Sequence, residues 1–144
     1  ESGKSTIFKQ MRILYGTGYD RADLMAHRKY VWGNMIEAIA ALLEACADRG
    51  RTAELVHTED ARLIEDLGDV NDKPMEITSE VGAAVARLWS EQVIQDLWRE
   101  RSTVQVFEMS KHFLARAEQI ASEDYVPTRE DLLYTRVRTT GIVE

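Results

Sequence analysis

A broad apolar arc between Asp23 and Asp48 indicates one long central helix. Its apolar positions recur at helical spacing on more than one face, and they are Leu24, Val31, Met35, Ile36, Ala38, Ile39, Leu42, Leu43 and Cys46. A helix packed on one side needs only a narrow stripe, whereas an arc this wide is typical of a helix that neighbours contact from several sides. Gly50, two residues after the arc, supplies a helix stop.

Shorter helices are expected on both sides of this central one. The predicted segments are Lys4–Tyr15, a helix between Thr58 and Gly68, a helix capped by Ser79, Gln92–Arg99, Ser110–Ser122, and a helix capped by Thr128. Asp131 follows Thr128 by three residues, which resembles a capping box. Arg136–Glu144 is rich in Val, Thr and Ile, which predicts extended chain. The expected fold is an all-α bundle of roughly five or six helices between two non-bundle ends.

Charge and cysteine content exclude several classes of protein. The chain of 144 residues has 18 Lys and Arg against 25 Asp and Glu, a net charge of −7, which disfavours nucleic-acid binding. No apolar run approaches the roughly 18 residues of a membrane-spanning helix. A single cysteine, Cys46, excludes an internal disulfide and is expected in the core. The histidines lack zinc-ligand spacing; they are His27, His57 and His112.

The N-terminal sequence carries a partial phosphate-binding motif. Gly3-Lys4-Ser5-Thr6 opens a helical pattern and matches the end of G-x-x-x-x-G-K-[ST]. In such a motif, backbone N–H groups and the helix dipole hold phosphate oxygens. Lys4 would reach the β- and γ-phosphates, and the Ser5 hydroxyl would bind Mg²⁺. A second explanation stays open from these residues alone, namely a polar segment that caps an ordinary helix.

A second polar cluster lies at the other end, in Arg136–Glu144. Arg136 could stabilise a transferring phosphate, and Thr139 could supply a second hydroxyl to the metal. Spacing alone favours a simpler interpretation, in which this is a basic edge segment with solvated arginines.

Three sequence blocks together resemble the alpha subunit of heterotrimeric G proteins. They are G-K-S-T-I-F-K-Q-M-R-I at 3–13, Y-V-P-T at 125–128, and T-R-V-R-T-T-G-I-V-E at 135–144. In that family the same blocks occur in the same order and flank an all-helical insertion of about this length. The resemblance implies three parts: residues 1–18 as the end of the P-loop and the first helix of the GTPase domain, 19–134 as the all-helical domain, and 135–144 as the switch I segment.

The resemblance also implies roles for individual residues. The phosphates would be held by Glu1, Ser2, Gly3, Lys4, Ser5 and Thr6. The nucleotide would be approached from the bundle side by Ser110, Leu133, Tyr134, Thr135, Arg136, Val137, Arg138 and Thr139. Arg136 would be the built-in catalytic arginine, and the metal ligands would be Ser5 and Thr139. Two positions depart from the family pattern: Met109 stands where an Asp is usual, and Tyr134 where an Arg is common.

The function implied is that of a GTP-hydrolysing signal transducer with Mg²⁺ and GTP or GDP as bound ligands. Its implied partners are a βγ dimer, a G-protein-coupled receptor, a downstream effector and regulators of GTP hydrolysis. The implied location is the cytoplasmic face of the plasma membrane, with peripheral attachment through a segment before Glu1. In this family the helical domain would lie over the bound nucleotide and slow its exchange.

The chain begins at Glu1, inside the P-loop motif, so we expect it to be an internal fragment. The expected Asn-Lys-x-Asp guanine-recognition sequence and the water-positioning Gln are not among its residues, and we expect the fragment alone to be inactive. Two alternatives stay open: another P-loop NTPase or kinase with a helical insertion, and a stand-alone helical interaction module.

Overall fold

The computed structural model describes residues 21–67, 76–104, 106 and 108–135. Within these ranges the chain is all-helical, without a β-strand. The helices are α1 (Arg21–Ala26), α2 (Arg28–Asp48), α3 (Thr58–Asp66), α4 (Ser79–Trp89), α5 (Gln92–Arg99), α6 (Lys111–Leu114), α7 (Ala117–Ile120) and α8 (Arg129–Tyr134). Three 3₁₀ turns connect them, at Thr52–Glu54, Arg101–Thr103 and Glu108–Ser110. The predicted all-α fold class is confirmed.

Helix α2 is the centre of the bundle. It packs against α3, α4, α5 and α6, so its side chains are covered from several directions. The α2 residues with no exposed surface are Val31, Met35, Ile36, Ile39, Leu42 and Cys46. The predicted central helix and the core position of Cys46 are therefore confirmed, and burial raises the pKa of the Cys46 thiol.

A glycine ends α2 as the sequence predicts. Gly50 has a φ of +68°, in the left-handed region that side chains rarely adopt. The N–H of Gly50 donates to the carbonyl of Ala47, and the N–H of Arg51 donates to the carbonyl of Cys46. These two bonds form a Schellman motif, which satisfies carbonyls that the helix end would otherwise leave without donors.

The prediction of one uninterrupted helix from Asp23 to Asp48 is wrong near its start. A turn at His27 separates α1 from α2. The ring Nδ1 of His27 lies 2.9 Å from the carbonyl oxygen of Asp23, and the backbone N–H of His27 donates instead to Leu24. The side chain thus occupies the acceptor that the next α-helical bond would use.

Two further boundaries differ from the sequence prediction. Ser110–Ser122 is not one helix, because Ala115 and Arg116 interrupt it between α6 and α7. Helix α4 is capped by Thr78, one residue before the predicted cap Ser79, and the Thr78 hydroxyl accepts a hydrogen bond from Val81 N–H. The interruption at Ala115 and Arg116, together with the turn at His27, gives more and shorter helices than expected.

Helices α4 and α7 approach each other closely at Gly82. A Cβ built on Gly82 would overlap the Ala121 side chain and lie 3.0 Å from the Ala117 carbonyl oxygen. Only a residue without a Cβ allows this separation of the two backbones.

Among the helices that the structure describes, none is both long and apolar enough to cross a membrane. The predicted segments Lys4–Tyr15 and Arg136–Glu144 lie outside the described residues, as does the predicted stop at Gly68.

Candidate functional site

Four of the predicted site residues fall within the described residues: Ser110, Leu133, Tyr134 and Thr135. The others lie outside them, so their roles stay predictions; they are Glu1, Ser2, Gly3, Lys4, Ser5, Thr6, Arg136, Val137, Arg138 and Thr139. The predicted metal ligands Ser5 and Thr139 and the predicted catalytic Arg136 belong to this second group.

The described site residues lie at two helix ends that meet. Ser110 directly precedes α6 and is 4 % exposed. The ring of His112, in α6, packs edge-on against the ring of Tyr134 at the end of α8, with the centroids 4.9 Å apart. Thr135 follows in extended conformation and ends α8. The start of α6 and the end of α8 therefore form one edge of the bundle.

The two departures from the family pattern have different surroundings. Met109 is 44 % exposed, an unusual position for a large apolar side chain. Tyr134 is half-buried and packs against the hydrophobic core. Tyr134 thus contributes to holding the end of α8 on the bundle, beside its predicted role toward the nucleotide.

A buried carboxylate, Asp131, lies in the middle of α8 and organises this edge. It has no exposed surface and accepts four hydrogen bonds. The donors are Tyr125 Oη at 2.6 Å, His112 Nε2 at 2.7 Å, Arg116 Nη1 at 2.8 Å and the Thr128 backbone N–H at 3.0 Å. The Thr128 hydroxyl in turn accepts from the Asp131 N–H, which completes the predicted capping box.

The surroundings of Asp131 fix its charge. Burial alone would raise its pKa, but the hydrogen bonds from Tyr125, Thr128, Arg116 and His112 outweigh burial and lower the pKa to about 2. Burial raises the pKa of the Tyr125 phenol, and its hydrogen bond to Asp131 acts in the same direction. The carboxylate is therefore ionised and the phenol is neutral at physiological pH.

Sequence reasoning found the capping pair but missed the other members of this cluster. Tyr125 was visible as part of the Y-V-P-T block, yet spacing gave no reason to place its phenol on Asp131. His112 and Arg116 belong to a different segment, and their periodicity predicted only a helix face. No sequence signal could have found them, because the burial of Asp131, which requires cationic or N–H donors nearby, is a property of the folded chain.

A second buried carboxylate, Glu91, lies between α4 and α5. It accepts from the backbone N–H groups of Val56 and His57, each at 2.8 Å, and lies 3.1 Å from His57 Nδ1. These bonds cap the start of α3. A cavity of about 260 Å³ opens beside it, lined by Glu54, Val56, His57, Ser90, Glu91, Gln92 and Val93. Because its oxygens are already engaged, Glu91 has a structural role here.

Within the part of the chain that the structure describes, no group of three or more His, Cys, Asp or Glu residues could hold a metal ion. The hydroxyls proposed for Mg²⁺ lie outside this part, so the metal assignment depends on the sequence motif.

Along the chain, the described helices lie between the sequence blocks Gly3–Thr6 and Thr135–Glu144. Comparison with known proteins gives the family. The family model described as "G-protein alpha subunit" matches residues 1–144. The chain belongs to this family, and the resemblance inferred from the sequence blocks is confirmed.

Individual relatives agree over the full chain. The chain is 36 % identical over 145 residues to the guanine nucleotide-binding protein G(o) subunit alpha of Manduca sexta. It is 37 % identical over 153 residues to the guanine nucleotide-binding protein alpha-7 subunit of Caenorhabditis elegans. It is 33 % identical over 152 residues to the alpha-1 subunit of Oryza sativa subsp. indica. Each alignment covers 100 % of this chain, but only 40–41 % of the relative.

Proposed function

We propose that this chain functions in a guanine-nucleotide-binding signal transducer that binds GTP and GDP with Mg²⁺ and hydrolyses GTP. The observation that carries the proposal is the family match over residues 1–144, which includes both the Gly3–Thr6 motif and the Thr135–Glu144 block. The relatives named above are guanine nucleotide-binding proteins. The described residues between the two blocks are all-helical, and the division into residues 1–18, 19–134 and 135–144 is part of the proposal.

The chemistry of the proposed ligands fits the substrate and the metal. Lys4 and the backbone N–H groups near Gly3 would hold the phosphate chain. Ser5 and Thr139 offer hydroxyl oxygens, the ligand type that Mg²⁺ prefers. Bound Mg²⁺ would neutralise charge on the phosphates.

Arg136 would act on the transition state of hydrolysis. Negative charge shifts on the transferring phosphoryl group as the bond to the leaving oxygen lengthens, and a guanidinium held there stabilises that charge more than it stabilises bound GTP. In the sequence, Arg136 directly follows Thr135, the residue that ends α8.

The proposed partners are a βγ dimer, a G-protein-coupled receptor, a downstream effector and regulators of GTP hydrolysis, at the cytoplasmic face of the plasma membrane. Exchange of GDP for GTP would order the segment around Thr139, and hydrolysis would release it. This ordering and release is the usual way in which the nucleotide state is passed to partners.

The test uses the protein expressed from its complete coding sequence. Arg136→Cys is expected to slow single-turnover GTP hydrolysis by about 10²- to 10⁵-fold while the affinity for a non-hydrolysable GTP analogue changes little. Arg129→Cys is the matched control, because Arg129 is an exposed arginine on α8. Equal losses of binding and turnover in Arg136→Cys would make Arg136 a ground-state phosphate ligand.

A second variant tests the proposed metal ligand, and the nucleotide preference of the wild-type protein separates the two alternative functions. Ser5→Asn is expected to weaken the Mg²⁺-dependent part of GTP binding, and an unchanged metal requirement would refute the Ser5 assignment. Binding of ATP in preference to GTP would favour another P-loop NTPase. Absence of any nucleotide binding by the wild-type protein would favour a helical interaction module.

A further inference from the structure

Helix α8 is too short to hold its own geometry. It spans six residues, Arg129–Tyr134, and isolated helices of this length are unstable in water. Its position therefore depends on contacts with the rest of the bundle. Thr135 and then Arg136 follow directly, so whatever fixes α8 also fixes the point at which the chain enters the segment of the proposed catalytic arginine.

The Asp131 carboxylate is the contact that joins α8 to three other parts of the chain. His112 belongs to α6, Arg116 to the turn before α7, and Tyr125 to the loop that precedes α8; each donates to this one side chain. A fully buried carboxylate with all of its donors in place holds these segments in one arrangement, because moving any of them strands a charge away from water.

The end of α8 is closed in the same way. The hydroxyl of Thr135 donates to the backbone carbonyl of Asp131, and the N–H of Thr135 donates to the carbonyl of Leu132 at 3.2 Å. Thr135 has φ −73° and ψ 128°, so the chain leaves the helix in a defined extended direction. The residue before Arg136 is thus held by side-chain and backbone bonds to α8.

We propose that Asp131 is a positioning residue for Arg136: it fixes α8 and Thr135, and through them the backbone from which the arginine reaches the transferring phosphate. This inference rests on the proposed function. Catalysis of phosphoryl transfer is mostly positioning and electrostatic stabilisation, and a misplacement of about 1 Å can cost on the order of 10²-fold in rate. Loosening Asp131 should therefore affect hydrolysis more than nucleotide affinity.

Asp131→Asn is the informative variant. It keeps the size of the side chain but replaces one acceptor oxygen with an NH₂ donor, which would face Tyr125 and Thr128 or else Arg116 and His112. Two of the present hydrogen bonds would be lost, and α8 would be held less firmly. Tyr125→Phe is a milder second variant, since it removes one donor and leaves the carboxylate charged.

Glu91→Gln is the matched control. Glu91 is also a buried carboxylate that accepts from backbone N–H groups and lies beside a histidine ring, but it caps α3 rather than α8. Its substitution should weaken the bundle by a similar mechanism without loosening the entry to Arg136.

The experiment measures single-turnover GTP hydrolysis and the affinity for a non-hydrolysable GTP analogue in the protein expressed from its complete coding sequence. Asp131→Asn is expected to slow hydrolysis by about 10- to 100-fold, with the affinity within about threefold of wild type. Tyr125→Phe should give a smaller loss in the same direction, and Glu91→Gln should hydrolyse GTP at the wild-type rate. The double variant Asp131→Asn/Arg136→Ala should be no slower than Arg136→Ala, because Asp131 acts through the arginine.

Three outcomes would overturn the inference while leaving the proposed function unaffected. Additive losses in the double variant would show that Asp131 acts independently of Arg136. An equal slowing in Glu91→Gln would reduce the effect to general destabilisation. If Asp131→Asn does not fold, a wild-type hydrolysis rate in Tyr125→Phe would contradict the inference. A wild-type rate in Arg136→Ala would instead contradict the proposed function itself, and the inference with it.

Discussion

The indole N–H of Trp32 donates a hydrogen bond to the backbone carbonyl of Ile120, with 2.6 Å between the nitrogen and the oxygen. The two residues are 88 positions apart in the sequence. Ile120 ends α7, where helix carbonyls lack intrahelical donors, and Trp32 lies near the start of α2. The guanidinium of Arg28 covers the Trp32 ring at 4.6 Å and donates to the carbonyl of Glu123. The start of the central helix is thereby attached to a late part of the bundle.

Trp32→Phe is expected to lower the free energy of unfolding by about 1–3 kcal/mol, because it leaves the buried Ile120 carbonyl without this donor. Urea unfolding of the chain measures the change. Arg28→Met is the control: it removes the stacked cation and an exposed hydrogen bond but keeps the indole bond, so its loss should stay below about 1 kcal/mol. Similar losses in both variants would assign the stabilisation to the stacking.

Leu42→Ala is expected to cost about 2–5 kcal/mol, because Leu42 is fully buried in α2 and its removal leaves a cavity between several helices. Met35→Ala should behave similarly. Val56→Ala is the control, since Val56 is 77 % exposed, and its effect should stay within about 0.5 kcal/mol. Thermal unfolding should be cooperative in all three; a non-cooperative transition in the wild type would contradict a single core centred on α2.

Gly82→Ala is expected to lower stability, because the added methyl would overlap Ala121 and force α4 and α7 apart. A small-to-large change in a packed interface costs about 1–3 kcal/mol. The variant Gly82→Ala/Ala121→Gly restores space at the same contact and should recover part of the loss. If the second substitution only adds to the first, steric contact with Ala121 is not the cause.

The fold could be predicted from the sequence to the level of helix content and the central helix. The apolar arc identified α2 and its buried residues, because a helix that is buried on several sides has apolar residues at helical spacing. The break at His27 has no such pattern in the sequence, since it depends on a hydrogen bond between one side chain and the carbonyl of Asp23. The interruption at Ala115 and Arg116 is of the same kind: Arg116 turns toward Asp131, a contact between segments 15 residues apart.

The candidate site divides in the same way. Thr128 and Asp131 were predicted as a local capping pair because three residues separate them, and the structure has this pair. The convergence of His112, Arg116 and Tyr125 on Asp131 is tertiary, and no pattern of spacing contains it. The roles of Lys4, Ser5, Arg136 and Thr139 come from matched sequence blocks and stay predictions for experiments on nucleotide binding.

The stability of the chain is expected to depend on the ionisation of Asp131 in acid. Its pKa is about 2 in the folded protein against an ordinary value of 3.8. A lowered folded-state pKa contributes stability that is fully present above the unfolded-state value and is lost as the pH falls toward the folded-state value. The difference corresponds to about 2 kcal/mol. Between about pH 4 and pH 2, therefore, the free energy of unfolding should fall in the wild type by about this amount more than in Asp131→Asn.

Urea unfolding at a series of pH values from about 5 to about 2 measures this difference, with the wild type and Asp131→Asn compared at each pH. Tyr125→Phe provides a graded comparison. It removes one of the hydrogen bonds that lower the pKa of Asp131 in the folded protein. The acid loss of stability should therefore still begin near the unfolded-state pKa, but it should be smaller than in the wild type and complete at a higher pH. Parallel pH profiles for all three proteins would mean that Asp131 is not held ionised by its four donors, and that other carboxylates cause the acid unfolding.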